Sequence, residues 1–202
     1  MSQNILSIQK EYLQKVWARP IQELEEAIPA RHEGSAFHFQ AFGEPCEIRR
    51  DEIILGGESL HGAEGLLIAI YSSIVTNEPV QLQPLKAFKQ FPGGMCYQPA
   101  FATNAERILI PHVESIQKRK EELIARFSGN LNKDVKRYDF SFTLYPLPKI
   151  PLYYLFNLPN EEFPATVTCL FSTNADRFLP VEGVADTAEY TAKKIIQLVT
   201  KL

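Results

Sequence analysis

The chain has 202 residues, 45% hydrophobic and 22% charged, which is the composition of an ordinary soluble globular domain. Twenty-one Lys+Arg against twenty-four Asp+Glu leave a net charge of −3 without a basic tract, which argues against a phosphate-neutralising nucleic-acid surface. The longest apolar stretch, residues 66–75 broken by two serines, falls short of the ~20 residues that span a bilayer.

Cys46, Cys96 and Cys169 stand far apart, in none of the spacings that hold zinc or an iron–sulfur cluster, so no metal site is expected. They read instead as small buried hydrophobes of a cytoplasmic protein with reduced thiols. The amino terminus has neither the basic start nor the unbroken apolar core of an export signal.

Residues 1–34 predict a helical segment. Ile5, Ile8, Tyr12 and Val16 recur at spacings of three and four, Pro20 interrupts the pattern, and Ile21, Leu24 and Ile28 restart a short helix that Pro29 ends. Residues 35–79 predict a three-strand-plus-helix unit. Phe37, Phe39 and Ala41 alternate with His38 and Gln40, and Cys46 and Ile48 alternate with Glu47 and Arg49. The run 53–55 then ends at Gly56-Gly57, and Ala63, Leu67, Ile70 and Ile74 form an apolar helix. Residues 80–110 read as an irregular connector, rich in aromatic residues and punctuated by Pro84, Pro92, Gly93, Gly94 and Pro99.

Residues 111–202 repeat the pattern. Pro111 opens a helix with an apolar stripe of Val113, Ile116, Leu123 and Phe127, the charged run 118–122 forms its solvated face, and Gly129 stops it. Tyr138, Phe140, Phe142 and Leu144 face one way and Arg137, Asp139, Ser141 and Thr143 the other in the most strongly alternating strand of the chain. The run 152–156 is apolar on both faces, as befits a central strand, and 166–171 supplies a third. Asp186 and Glu189 form a capping-box-like start to a terminal helix carrying Ala188, Ala192, Ile195 and Val199. The fold class is therefore α+β: a single domain with about six antiparallel strands covered by helices, in an α-βββ-α order that occurs twice, as a pseudo-duplication would leave it.

No complete catalytic constellation emerges, which leans against an enzyme and leaves that question open. Gly57-Glu58-Ser59-Leu60-His61 approaches a hydrolase nucleophile elbow, but His61 stands where the motif needs glycine, and Ser59 reads as a helix cap. Of the four histidines, His38, His61 and His112 are the candidate axial or polar ligands. No two sit at the i, i+4 spacing of a helical metal site. Phe91, Gly93, Gly94, Tyr97 and Phe101 are the candidate ligand-binding residues of the connector. Their Phe-Pro-Gly-Gly core reads either as an anion-binding nest or as a tight turn anchored by Phe91. Glu161, Glu162 and Phe163 form a candidate recognition tip on a turn between strands.

Several pieces also come in a characteristic order: Asp139-Phe140-Ser141-Phe142, Tyr145-Pro146-Leu147-Pro148-Lys149-Ile150-Pro151-Leu152, Glu161-Glu162-Phe163-Pro164, Leu170-Phe171 and Phe178-Leu179. With Phe91-Pro92-Gly93-Gly94, Tyr97 and Phe101, the chain from about Ser35 onward resembles a prokaryotic domain-of-unknown-function family, number 3786. It departs from that pattern at Phe156, where the family favours Trp, and at Ser172, where it favours Asp. The resemblance implies a soluble protein of anaerobic bacteria or archaea, with some relatives joined to iron–sulfur modules or encoded near corrinoid and redox proteins. It assigns no catalytic residue. No cysteine precedes Cys46 here, so residues 1–34 hold no such module.

The leading expectation is a non-catalytic binding or accessory module for a small cofactor or a partner protein, although no motif names the cofactor. A second is tetrapyrrole binding, whether heme or corrinoid, through a lone histidine, since paired three-strand-plus-helix units resemble heme-handling sheet proteins. A third is an enzyme assembled from distant residues such as Asp139, Glu162 and one histidine.

Overall fold

The computed structural model describes residues 2–133 and 137–200. Two antiparallel five-stranded sheets share one apolar core with the helices. The first half begins with α1 (Ser2–Trp17) and α2 (Ile21–Ala27), separated at Pro20 as the sequence predicts. The first sheet then runs in sequence order through β1 (Arg31–Glu33), β2 (Ala36–Ala41), β3 (Glu44–Ile48), β4 (Ile53–Leu55) and β5 (Glu58–Ser59). The expected meander of three strands is its centre. The two outer strands are only three and two residues long, too short to display a period.

Helix α3 (Ala63–Ile74) crosses to the second half. The carbonyls at its C-terminal end and just beyond it are gripped from two directions. Arg19 donates to the Ser72 and Val75 carbonyls at 3.0 and 2.8 Å, and Lys149 Nζ donates to those of Thr76 and Glu78 at 2.6 and 2.9 Å. Two cations thus sit where the helix dipole is negative, and they bind α1 and the second sheet to the same helix end.

The connector is not irregular. It forms β6 (Lys86–Ala87), a 3-10 turn at Phe88–Gln90, α4 (Gly94–Phe101), a π-helical turn at Ala102–Glu106 and a second 3-10 turn at Arg107–His112. The residues read as breakers are the punctuation of a helix. Gly93, with φ of 80°, is the left-handed residue that turns the chain into α4, and Pro99 lies inside that helix just before the π turn. Pro111 lies inside the second 3-10 turn, and α5 (Val113–Lys118) starts two residues later.

The expected single helix over the charged run is broken at Arg119 into α5 and α6 (Lys120–Arg126). Arg119 turns back to pair with Glu122 and to reach the Leu198 carbonyl, so the run is more than a solvated face. Val113, Ile116, Leu123 and Phe127 are buried as the stripe predicts. At the helix stop the left-handed residue is Ser128, not Gly129. Gly129 is needed because a Cβ there would lie 2.2 Å from the Thr143 carbonyl oxygen.

The second sheet has the order β6, β10 (Thr166–Phe171), β9 (Ile150–Asn157), β8 (Phe140–Leu147) and β7 (Asn130–Leu131), with the doubly apolar β9 at its centre. β8 begins at Phe140, and its polar as well as its apolar set is buried. Its polar face tolerates this because Ser141 Oγ donates to the Tyr154 carbonyl at 2.8 Å and Thr143 Oγ1 bonds Asn132 at 3.1 Å. The terminal helix α7 (Val181–Thr200) begins after Pro180, five residues before the predicted capping box, so Asp186 and Glu189 lie within it.

The sheets meet at the β2–β3 hairpin tip. Phe42 and Gly43 have φ of 49° and 74°, Phe42 is fully buried, its N–H donates to the Pro146 carbonyl at 2.6 Å, and its ring meets Tyr190 of α7 edge-on at 6.1 Å.

Candidate functional site

The buried face of α7 carries Val184, Ala188, Ala192, Ile195 and Val199. Between them lie Thr187 and Thr191, whose hydroxyls are satisfied by the carbonyls one turn back. That pattern turns Glu182, Asp186, Glu189 and Lys193 outward along one stripe at helical spacing. α4 and the π turn stand on one side of the stripe and α3 on the other. Two hollows result, of about 170 and 180 Å³, which share Glu182 and Asp186.

The first hollow is lined by Tyr97, Ala100, Phe101 and Asn104, and the second by Ala63, Leu66, Leu67 and Ile70. Tyr97 Oη donates to Glu182 at 3.0 Å, and that carboxylate holds the phenol above its usual pKa. Glu189 accepts from Asn104 Nδ2 at 3.1 Å and from Lys193 at 2.5 Å. Between these two carboxylates, Asp186 has no hydrogen-bond or ion-pair partner among the described residues. It is open to solvent on one side and crowded by α3 and α4 on the others. That crowding, with the charges of Glu189 and Glu182, pushes its carboxyl above the usual 3.8 against the weaker pull of Lys193.

Farther along α7, Glu44, Glu58, Glu64 and Lys194 line a polar cavity of about 360 Å³. Burial and the charge of Glu44 raise the Glu64 carboxyl against the pull of Lys194. Burial also pushes Glu44 upward, but the hydrogen bonds and charges of Arg126 and Lys194 outweigh it and hold that carboxyl below 4.5. A low and a high carboxyl side by side is the charge split of an acid–base pair. Glu44, however, is committed to Arg126 and to Lys194 at 3.1 Å, and it serves to tie β3 to α6 and α7. Burial, then the charges of Asp186, Glu189 and Glu64, push the Tyr190 phenol between the cavities up to about 12.

The connector candidates divide between core and cleft. Phe91 and Phe101 are 2% and 3% exposed and belong to an aromatic cluster with Phe88 and Phe171, in which Phe88 stacks on Phe101 at 4.5 Å. Phe91 is therefore a core anchor rather than a surface residue, whereas Phe101 also floors the first hollow. Tyr97, 42% exposed, stands at the rim. The Gly94 N–H bonds back to the Phe91 carbonyl at 2.9 Å, so this stretch is the tight turn and not an open nest. Gly93 sets the start of α4 against Val181.

His38 is half-buried on β2, His61 is exposed before α3, and His112 ends a 3-10 turn. None lines these cavities. Among the described residues no group of three or more His, Cys, Asp or Glu is arranged to hold a metal ion. Ser59 lies on β5 and donates to Glu52 at 3.0 Å, and it is not a cap, since α3 is entered through Gly62. Cys46 and Cys169 are buried as expected, but Cys96 is exposed on α4.

Asp139 accepts the Leu158 N–H at 2.7 Å as a local brace and is not among the residues that line the cleft. Asn160 Oδ1 accepts the N–H groups of Glu162 and Phe163 at 2.9 and 2.8 Å, which fixes the β9–β10 turn with Phe163 65% exposed at its tip. No described helix is long and apolar enough to cross a membrane.

A family model described as Domain of unknown function (DUF3786) matches residues 20–194. No curated protein and no solved structure matches the chain.

Proposed function

The chain belongs to the domain-of-unknown-function family DUF3786, and from that premise, which gives no residue a role, we propose that it is a non-catalytic binding module whose α7 cleft receives a cationic group. One observation carries this reading: Asp186, flanked by Glu182 and Glu189, faces the cleft with no hydrogen-bond or ion-pair partner among the described residues, and the one cation that pulls on it, Lys193, is held by Glu189. A protonated amine or guanidinium seated there relieves the mutual repulsion of the three acids and gains charge-assisted hydrogen bonds. Tyr97, 42% exposed, adds an aromatic ring to the rim of the same cleft. Two free cysteines in the core and one on α4 support a reducing, cytoplasmic setting.

Calorimetric titration with spermidine at low ionic strength tests the proposal. Saturable binding is expected, weakened about tenfold in Asp186→Asn and progressively lost as salt is raised. Heats that do not saturate, or that are identical in wild type and Asp186→Asn, refute it.

A further inference from the structure

Building on that cationic-cleft reading, we infer that the occupant is a basic amphipathic helix of a partner protein, laid across α7 with one apolar side chain in each hollow and a lysine or arginine over the Glu182–Asp186 ridge. The acids alone do not require a protein ligand, but the walls do. On α3, half-buried Leu66 and Ile70 wall the second hollow, and Ile74, 40% exposed, extends their four-residue row one turn beyond it. On α4, Tyr97 (42% exposed) and Ala100 stand over Phe101 in the wall of the first hollow. A small polyamine satisfies the carboxylates and leaves both apolar walls in water, whereas an amphipathic segment covers all three surfaces at once.

The spacing selects a helix. The hollows lie on opposite flanks of α7, so they are separated by about one helix diameter, roughly 10–12 Å. On a crossing helix, residues seven apart share a face and lie about 10.5 Å from each other, with positions three and four between them on that same face. The recognised pattern is thus an apolar residue at each end of a seven-residue interval and one or two basic residues midway. Charge complementarity favours such a partner, because the cleft sets three carboxylates against Lys193, which Glu189 already engages.

The test uses fluorescein-labelled Ala-rich helical peptides of roughly 15 residues. One has leucines seven apart and two lysines midway, and a second has both leucines replaced by glutamine. Fluorescence anisotropy with the full chain is expected to show the leucine peptide binding at least about tenfold tighter than the glutamine peptide. Its affinity should fall several-fold in Leu66→Gln and in the more exposed Ile74→Gln, with unchanged far-UV circular dichroism confirming the fold. Ile74→Gln is decisive if Leu66→Gln unfolds. Equal binding of the two peptides, or leucine-peptide affinity indifferent to Ile74→Gln, overturns the inference. If spermidine binds and neither peptide does, the inference falls and the cationic cleft stands; if spermidine also fails, both fall.

Discussion

Gly93 and Gly94 are neighbours with different physical reasons to be glycine, and a pair of alanine substitutions separates them. At Gly93 the backbone is left-handed, with φ of 80°, and an added Cβ would meet only Val181 Cγ1 at 3.6 Å, an ordinary contact. The cost of Gly93→Ala is therefore conformational, about 1–2 kcal/mol, reduced by the ~0.4–1 kcal/mol that alanine recovers by restricting the unfolded chain. About 1 kcal/mol of net destabilisation remains.

At Gly94 the obstacle is steric. A Cβ there would lie 2.3 Å from the Phe88 carbonyl oxygen and 3.3 Å from its carbon, and real Cβ contacts essentially never fall below 3.0 Å. Because the blocking atoms are backbone, α4 must move away from the preceding 3-10 turn, at a cost of about 3 kcal/mol or more. Urea unfolding at constant m measures both. In melting temperature the difference corresponds to a loss of about 2–4 °C for Gly93→Ala against at least about 6 °C for Gly94→Ala. Equal losses, or a larger loss at Gly93, would show that the close approach of α4 to Phe88 is not what fixes the second glycine.

Asp186→Asn should raise the urea midpoint at pH 7 while it weakens spermidine binding. A carboxyl raised in the folded state makes stability fall as pH rises from its unfolded value, near 3.8, through its folded value. The gain over wild type should therefore vanish below about pH 4, and a gain that persists in acid would refute the assignment. Phe88→Ala, which removes a fully buried ring from the cluster holding α4, is expected to cost about 3–5 kcal/mol. Phe163→Ala on the exposed turn should stay within about ±0.5 kcal/mol in the same denaturation assay.

The strands that carry alternation or a doubly apolar run (β2, β3, β4, β8, β9 and β10) were legible because burial writes its period directly into the side chains. The two- and three-residue edge strands were not, since their pairing is set by neighbours distant in sequence. α4 was hidden by Pro92, Gly93, Gly94 and Pro99, which signal breakage locally although the first three build the helix entry and the last sits at the passage into the π turn.

The site was half visible. Tyr97 and Phe101 stood out as aromatic residues of the connector, but the cleft's acids were misread, because Asp186 and Glu189 stand three apart and imitate a capping box. The usable signal lay upstream. Val184 extends the spacing of Ala188, Ala192 and Ile195 backward to Pro180, and on that longer helix Glu182, Asp186 and Glu189 share a face. Asn104 leaves no local trace, since it reaches the cleft only through the π turn.

The Phe42–Gly43 corner carries a consequence for how the first sheet acquires its register. Such a two-residue corner ordinarily takes Asn or Asp at its first position, because a bulky side chain resists positive φ. Here the phenylalanine's ring is held by α7 and its amide by β8, so the corner's conformation is imposed by segments more than a hundred residues away. A peptide containing only β2 and β3 lacks both partners and is free to relax into another turn. The hairpin is thus a local shape with a non-local author, and its tip reports whether the carboxy-terminal half has docked.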